Sequence, residues 1–209
     1  TKLLHSTLKT IMTAKTTTKK KTAKPKTVRV AKIPELPRNP FVFEVLDAAS
    51  KQRSKAKKVE VLQRYGDISL KMILKWNYDS TLISALPEGE VPYGNFEDDA
   101  NTTGTLTTKV SLQVRKMHEA GSFSMGSSDK QGHTTIRREA KNFYRFIRGG
   151  QDSLSNLRRE TFFINILEGL HPLEAEVLIL VKDKRLEEQY NISKEIVSLA
   201  FPDIIWGDA

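Results

Sequence analysis

Histidine and carboxylate residues are the side chains in this sequence that could support metal or acid–base chemistry. The chain has no cysteine, and its four histidines are His5, His118, His133 and His171. Glu168, His171 and Glu174 follow the three-residue spacing with which helices of di-metal carboxylate proteins present their ligands. Gly169 and Pro172 interrupt the helix between them, so the three side chains lose a common face. The pattern therefore favours a capping role for His171 at a helix–helix junction over a metal site.

The segment Gly121–Gly126 is the second candidate, because its glycine spacing imitates a phosphate-binding loop. That motif needs a lysine after the second glycine to reach the β- and γ-phosphates, whereas Ser127 and Ser128 stand there. The absence of cysteine excludes disulfide scaffolds, thiolate metal sites and thiol nucleophiles. No G-x-S-x-G or H-E-x-x-H pattern occurs either. We therefore expect a protein that is not an enzyme and that uses no metal or cofactor.

Positive charge is the strongest chemical signal in the chain. Its 209 residues include 34 Lys and Arg against 25 Asp and Glu, for a net charge of +9. Residues 1–39 hold nine lysines, two arginines and one carboxylate, Glu35, which gives 11 − 1 = +10. Residues 40–209 then sum to 9 − 10 = −1. A nearly neutral body follows a strongly basic segment.

The basic segment has the composition of a flexible tail. Residues 13–32 are almost entirely Lys, Thr, Ala, Val and Pro, which cannot bury enough apolar surface to offset the entropy of ordering. We expect residues 1–39 to be disordered or extended, and to bind polyanions by releasing condensed counterions. The residues predicted to contact nucleic acid are Lys19, Lys20, Lys21, Lys24, Lys26 and Arg29. A solubilising tail or tether is the alternative. Met12 is a candidate translation start, and residues 13–39 alone would carry 9 − 1 = +8.

Two basic clusters occur within the body. The first basic cluster consists of Lys51, Arg53, Lys55, Lys57 and Lys58. The second basic cluster consists of Arg137, Lys141, Arg145 and Arg148, with Arg158 and Arg159 nearby in sequence. At 100° per residue, the four residues of the second cluster fall within about 80° of one another on a helix. Either cluster could contact a phosphate backbone, or could be the solvated side of an amphipathic helix. Residues 161–209 hold 4 basic and 9 acidic residues and could pair with these clusters, which would cancel their field.

The elements that position these clusters are predicted to be helical. The apolar spacing indicates an all-α domain of six or seven short helices over residues 40–209. Asn39 and Pro40 predict an N-cap followed by a first-turn proline, Ser54 and Asp67 predict the next two starts, and a short helical turn is expected over 80–86. Residues 87–134 are rich in turn-forming residues and longer than a normal connection. We expect 94–134 to be an irregular loop or insertion, in which alternating Val110, Leu112 and Val114 predict a short strand or hairpin.

The second half of the body shows clearer helix boundaries. Thr135 predicts the start of a helix over 136–148, and Ser153 predicts the cap of the next one. The run 162–167 is apolar on nearly every side, which is typical of a central, buried helix. Residues 177–181 suit a strand or a helix, but Pro172 before them, acidic residues at the start and basic residues at the end match a helix dipole and favour a helix. A last helix is expected from near Ser193 to Pro202. No apolar run approaches the roughly 18–20 residues of a membrane span, so we expect no membrane association.

Several segments resemble a known family. They are the runs Arg158–Lys184, Leu74–Asp79, Leu86–Tyr93 and Phe201–Ile204. Over roughly residues 40–93 and 135–206, the chain resembles conserved uncharacterised proteins of T-even-type tailed phages and cyanophages. The resemblance implies a viral source, and hence the cytoplasm of an infected bacterial cell or a virion, but it implies no activity and no functional residues.

Together, these features predict a non-enzymatic protein that associates non-specifically with DNA or RNA, mainly through its tail and secondarily through Arg137, Lys141, Arg145 and Arg148. The alternative is a protein-binding adaptor or virion component with no direct nucleic-acid role, whose partner would be a phage or host protein. Polyanion binding falls steeply with salt, so salt dependence separates the two.

Overall fold

Helices make up the regular structure of this chain. The computed structural model describes residues 33–93, 104–121 and 132–207. The chain divides into two units, Thr1–Lys32 and Ile33–Ala209, and all described residues belong to the second. Its helices are α1 (Val42–Ser50), α2 (Lys55–Tyr65), α3 (Ile68–Tyr78), α4 (Leu106–Glu119), α5 (Ile136–Glu139), α6 (Asn156–Gly169), α7 (Pro172–Lys182), α8 (Leu186–Gln189) and α9 (Lys194–Ala200). Within the described ranges the β pairing is one isolated antiparallel bridge, Ser84 with Ile147, and the all-α prediction is confirmed.

Helix α7 lies at the centre of the core. It packs against α1, α3, α4, α6 and α8, and its residues Val177, Leu178 and Val181 are fully buried. The prediction that 162–167 forms the central helix is wrong, because α6 exposes Asn165 within that run and packs mainly on α7 and on residues 140–146. The prediction of a helix over 177–181, oriented by its terminal charges, is confirmed.

Local capping chemistry sets most helix starts as predicted. Ser54, Asp67 and Thr135 each accept a hydrogen bond from a backbone N–H in the first turn of the helix they precede. The last helix begins directly after Ser193 and ends before Pro202. The starts at Ser54, Asp67 and Thr135 follow from side chains that satisfy the otherwise unpaired N–H groups of a helix end, whereas the Ser193 side chain makes no such bond.

Three predicted boundaries are wrong. Helix α1 begins at Val42 rather than Pro40, because Glu44 Oε2 accepts a hydrogen bond from the Phe41 backbone N–H at 2.9 Å and fixes the N-terminus there. Helix α6 is capped by Ser155 rather than Ser153. Residues 80–86 form no helix, because a turn at 80–81 leads into the bridge between Ser84 and Ile147 and bends follow at 85–86.

The predicted strand or hairpin around Val110 is also wrong. Leu106, Val110 and Val114 are buried at four-residue spacing in α4, while Leu112 is 44% exposed. The Thr105 side chain caps the helix. Residues 94–103 and 122–131 of the predicted irregular loop lie outside the described residues. With α4 and α8 included, the described ranges hold more helices than the predicted six or seven.

The prediction of one α-helix over 136–148 is wrong, because the helix changes type within this segment. Helix α5 continues as a 3₁₀ helix over Ala140–Phe146, and Ile147 is extended. A 3₁₀ helix places residues i and i+3 on one side, so Phe143 and Phe146 both pack against Trp76, with ring centroids 5.9 and 6.1 Å away. Two backbone hydrogen bonds to the extended segment 83–85 then end the helix.

The last residues of the predicted tail contact the body. Ile33 and Leu36 pack against the core. The Leu36 backbone N–H donates to the Tyr65 hydroxyl at 3.1 Å, and that hydroxyl donates to the Pro34 carbonyl at 3.1 Å. Residues 33–36 therefore lie along α2.

Candidate nucleic-acid interface

The six tail residues singled out by the sequence all lie outside the described residues. They are Lys19, Lys20, Lys21, Lys24, Lys26 and Arg29. Their role stays a prediction that rests on charge and composition. The part of the interface that has a described geometry belongs to the body.

The first basic cluster is largely neutralised within the fold. Lys55 Nζ lies 2.7 Å from a Glu195 carboxylate oxygen, and Lys51 Nζ lies 2.6 Å from one of Asp47. Lys58 is buried and donates to the Asn191 carbonyl. Lys55, Lys57 and Lys58 lie on α2, which packs against α9, so the predicted cancellation by the acidic end of the chain takes place at Lys55.

The second basic cluster is not cancelled in this way. Residues 137–159 carry 7 basic and 2 acidic residues, for a net of +5, whereas the acidic C-terminal region (residues 160–207) carries 4 and 9, for a net of −5. Among the described residues, the ion pairs of the acidic C-terminal region are made with Lys55, Lys71, Lys182 and Arg185. None of them reaches residues 137–159, so the two opposite charges remain on separate parts of the chain.

Arg137 is separated from the other members of its cluster by its contacts. Its guanidinium pairs with Asp67, the cap of α3, and donates to the Pro40 carbonyl at 3.0 Å. It thereby ties the start of α5 to the starts of α1 and α3. The predicted single stripe of four side chains is therefore wrong, because Arg137 is engaged elsewhere and the α-helical spacing ends at Ala140.

Among the remaining side chains, Arg145 contacts an exposed ring, that of Tyr144. Lys141 and Tyr144 lie three residues apart in the 3₁₀ helix and so on the same side of it. The Arg145 guanidinium carbon is 5.6 Å from the centroid of the Tyr144 ring and 5.2 Å from that of Phe162. Arg158 precedes Phe162 by one turn of α6, which places it on the same side of that helix. We call the set Lys141, Tyr144, Arg145, Arg148 and Arg158 the basic face.

A buried arginine fixes the loop beneath the basic face. Arg159 is 5% exposed. Its guanidinium donates to the carbonyls of Arg145 (2.8 Å), Gln151 (3.0 Å) and Leu154 (3.1 Å), and to Asn156 Oδ1 (2.8 Å). These acceptors are neutral, so the buried charge is satisfied by dipoles and adds to the positive potential of this region. Apart from their one-residue separation on a helix, no local pattern indicates that Arg159 faces inward while Arg158 faces outward.

His171 has the capping role that the sequence predicts. Its Nδ1 accepts a hydrogen bond from the Leu173 backbone N–H at 3.2 Å, at the start of α7. The ring lies against Phe41 and Phe43, with centroids 5.7 and 5.2 Å away. Burial lowers the pKa of His171, which keeps the imidazole in the neutral form that accepts this bond.

Glu174 belongs both to the disfavoured metal pattern and to the acidic first turn predicted for α7, and the structure adds a third role. Its Oε1 accepts from the Val42 backbone N–H at 3.3 Å and its Oε2 from that of Ile136 at 2.9 Å. One carboxyl group therefore satisfies the N-termini of α1 and α5, and burial raises its pKa to about 7. Glu168 is exposed, and no group of three His, Cys, Asp or Glu residues in the described ranges could hold a metal ion.

Two other sequence features have little or no described structure. The imitation of a phosphate-binding loop lies outside the described residues, apart from Gly121. None of the described helices combines the length and the apolar character needed to cross a bilayer.

Comparison with known proteins gives a family without an assigned activity. The profile of the family of unknown function DUF6433 matches residues 45–130 and 122–188. No curated protein and no solved structure matches the chain. The matched ranges include α2 to α7 and the whole of the basic face, and cover well over half of the sequence. The chain therefore belongs to the family of unknown function DUF6433.

Proposed function

We propose that this protein is non-enzymatic and associates with DNA or RNA without sequence specificity, through the tail and secondarily through the basic face. The observation that carries the proposal is the division of charge, +10 over residues 1–39 against −1 over the rest. A basic segment of low complexity binds phosphates by releasing counterions and needs no fixed complementary shape. The resemblance to tailed-phage proteins supports a site of action in the cytoplasm of an infected bacterium, or in the virion.

The body supports this proposal through one of its two basic clusters. In the first cluster, Lys51 and Lys55 are paired with carboxylates and Lys58 is buried, so these three lysines have little charge left for a ligand. In the basic face, Lys141, Arg148 and Arg158 are exposed, and none of them has an ion-pair partner among the described residues. Phosphate contacts of this kind position a nucleic acid without reading its sequence.

The test replaces the six tail residues by glutamine in the full chain. Lys19, Lys20, Lys21, Lys24, Lys26 and Arg29 are changed together, which lowers the tail charge from +10 to +4. Binding of a labelled duplex is followed by fluorescence anisotropy from about 50 to 200 mM salt, where phosphate contacts lose much of their free energy. We expect at least tenfold weaker binding at low salt and a shallower salt dependence. Unchanged affinity would refute the role of the tail.

A specific surface feature favours the alternative, a protein-binding adaptor or virion component. Ile68 and Ile205 are 71% and 83% exposed and line one groove between α3 and residues 203–207. Exposed apolar side chains of this kind are common at protein interfaces. A partner recovered from infected cells by this surface would survive nuclease and physiological salt, and would be lost in Ile68→Ser and Ile205→Ser variants.

A further inference from the structure

Tyr144 is the one exposed aromatic residue within the described ranges. It is 45% exposed, while every other Phe, Trp or Tyr there is buried or half-buried. It belongs to the basic face, where Arg145 donates to its hydroxyl at 3.3 Å. An exposed ring next to cations is what single-stranded nucleic-acid sites use, because unpaired bases stack on the ring while the cations hold the backbone.

The backbone of Tyr144 is held firmly. Phe143 and Phe146 on either side of it are buried, so the 3₁₀ spacing directs the ring between them outward. A Cβ added to Gly150 would lie 1.8 Å from the Tyr144 carbonyl oxygen, which shows how closely the following loop passes behind it. The ring is therefore presented by a packed element rather than by a free loop.

The tail cannot provide the same selectivity. Residues 1–39 contain no Phe, Trp or Tyr, so the tail has many cations but none of the large rings on which bases stack best. Its binding should depend on phosphate density and not on whether the bases are paired. A preference for unpaired strands must therefore come from the body.

We propose that Tyr144 is a stacking site for an unpaired base, and that Lys141, Arg145, Arg148 and Arg158 hold the phosphates beside it, so that the body binds single-stranded DNA or RNA in preference to duplex. This rests on the proposed nucleic-acid function and assigns the strand preference to one side chain. The bases of a duplex are stacked on one another and leave no face for the ring.

The experiment compares full-length chains carrying Tyr144→Ala, Tyr144→Phe or Leu112→Ala, on a labelled oligothymidylate and on a duplex of equal length. Stacking on an aromatic side chain contributes about 1–3 kcal/mol per base, so we expect Tyr144→Ala to lose about 5- to 150-fold affinity for the single strand and less than about twofold for the duplex. Tyr144→Phe keeps the ring and should bind as the original chain does. Leu112→Ala removes a side chain of equal exposure, 44%, and should change neither affinity.

Two outcomes would overturn the inference. One is an equal effect of Tyr144→Ala on both probes, and the other is no effect on the single strand. Ultraviolet cross-linking of the unaltered chain to a bromouracil-containing strand gives a measurement that needs no variant, with Tyr144 as the expected site within residues 40–209 and cross-linking of these residues only outside 141–158 as a contradiction. The six-glutamine tail variant separates the two proposals, because it should weaken both probes while the single-strand preference remains.

Discussion

The first basic cluster and the basic face contain similar numbers of lysines and arginines and have opposite surroundings. The cluster lies between the end of α1 and the first turn of α2, next to α9, whose Glu195 pairs with Lys55 at 2.7 Å, and its Lys58 is buried. The basic face lies on the 3₁₀ helix and the start of α6, and the cation beneath it, Arg159, is held by neutral carbonyls. The element that packs beside a basic segment therefore decides whether its charge is available to a ligand, and the count of basic residues does not.

The largest expected effect concerns the support of the basic face. Arg159→Met leaves the carbonyls of Arg145 and Leu154 without their donor and removes one of the two donors to the Gln151 carbonyl, and buried unpaired acceptors cost about 1–3 kcal/mol each. We expect the free energy of unfolding, measured by urea denaturation, to fall by about 3 kcal/mol or more. The adjacent Arg158→Met is the control and should change it by less than about 0.5 kcal/mol. Equal losses in the two variants would contradict the supporting role.

The second prediction concerns Glu174, a buried carboxyl group of the acidic C-terminal region. The pKa of Glu174 rises from its usual 4.5 to about 7 on folding, so the folded chain binds more protons than the unfolded chain between these values. The contribution of Glu174 to the free energy of unfolding should therefore fall as pH rises from about 5 to 7. In Glu174→Gln, the difference from the original chain should shrink over this range, because the amide does not titrate.

The same variant should also be less stable in acid. A glutamine side chain has one acceptor oxygen and one NH2 group. The NH2 group is itself a donor and would face the backbone N–H of either Val42 or Ile136. One lost buried hydrogen bond costs about 1–3 kcal/mol. Glu168→Gln, an exposed carboxylate of the same region, is the matched control and should alter neither the stability nor its pH profile. Parallel pH profiles for Glu174→Gln and the original chain would show that this carboxyl group does not titrate in the window.

The third prediction compares the two basic regions directly. Lys141→Gln together with Arg148→Gln removes two phosphate contacts, and each such contact contributes about one unit to the slope of log affinity against log salt. We expect the slope for duplex DNA to fall by about two, whereas Lys55→Gln with Lys51→Gln should leave it unchanged. Equal slopes for the two double variants would remove the distinction between the regions.

The smallest expected effect is the energy of the pair that neutralises the first cluster. Lys55 and Glu195 are both well exposed, and exposed pairs contribute about 0.2–1 kcal/mol. A double-mutant cycle with Lys55→Ala and Glu195→Ala should give a coupling energy in this range, and it should decrease with salt. A coupling above about 2 kcal/mol would mean that the pair stabilises the packing of α2 on α9 more than surface charges normally do.

Local sequence patterns predict the structure correctly where the residues that determine it are close together in the chain. Ser54, Asp67 and His171 cap the helices that follow them because the capping atom and its N–H partner are two or three residues apart. The all-α class follows from the same local patterns. Charge separation along α7 likewise decided between helix and strand where the apolar run alone could not.

The errors within 136–159 and at Glu174 involve partners distant in sequence, whereas the error in α4 is local. The 3₁₀ helix ends where Ile147 pairs with Ser84, and no pattern within 136–148 records that pairing. Glu174 caps α1 from 132 residues away, and Arg159 differs from Arg158 only in what its side of α6 packs against. Within α4, the spacing of Val110, Leu112 and Val114 matches a strand, and only Leu106 four residues earlier reveals the helical period.

The way α4 packs determines how this part of the protein can open locally. Its buried residues Leu106, Val110 and Val114 lie on one narrow face, and its principal packing partner is α7. A helix attached along a single face can detach without unfolding the rest, so its amide hydrogens should exchange with solvent at a lower opening free energy than those of α7. Each such excursion would briefly uncover the side of α7 that α4 protects.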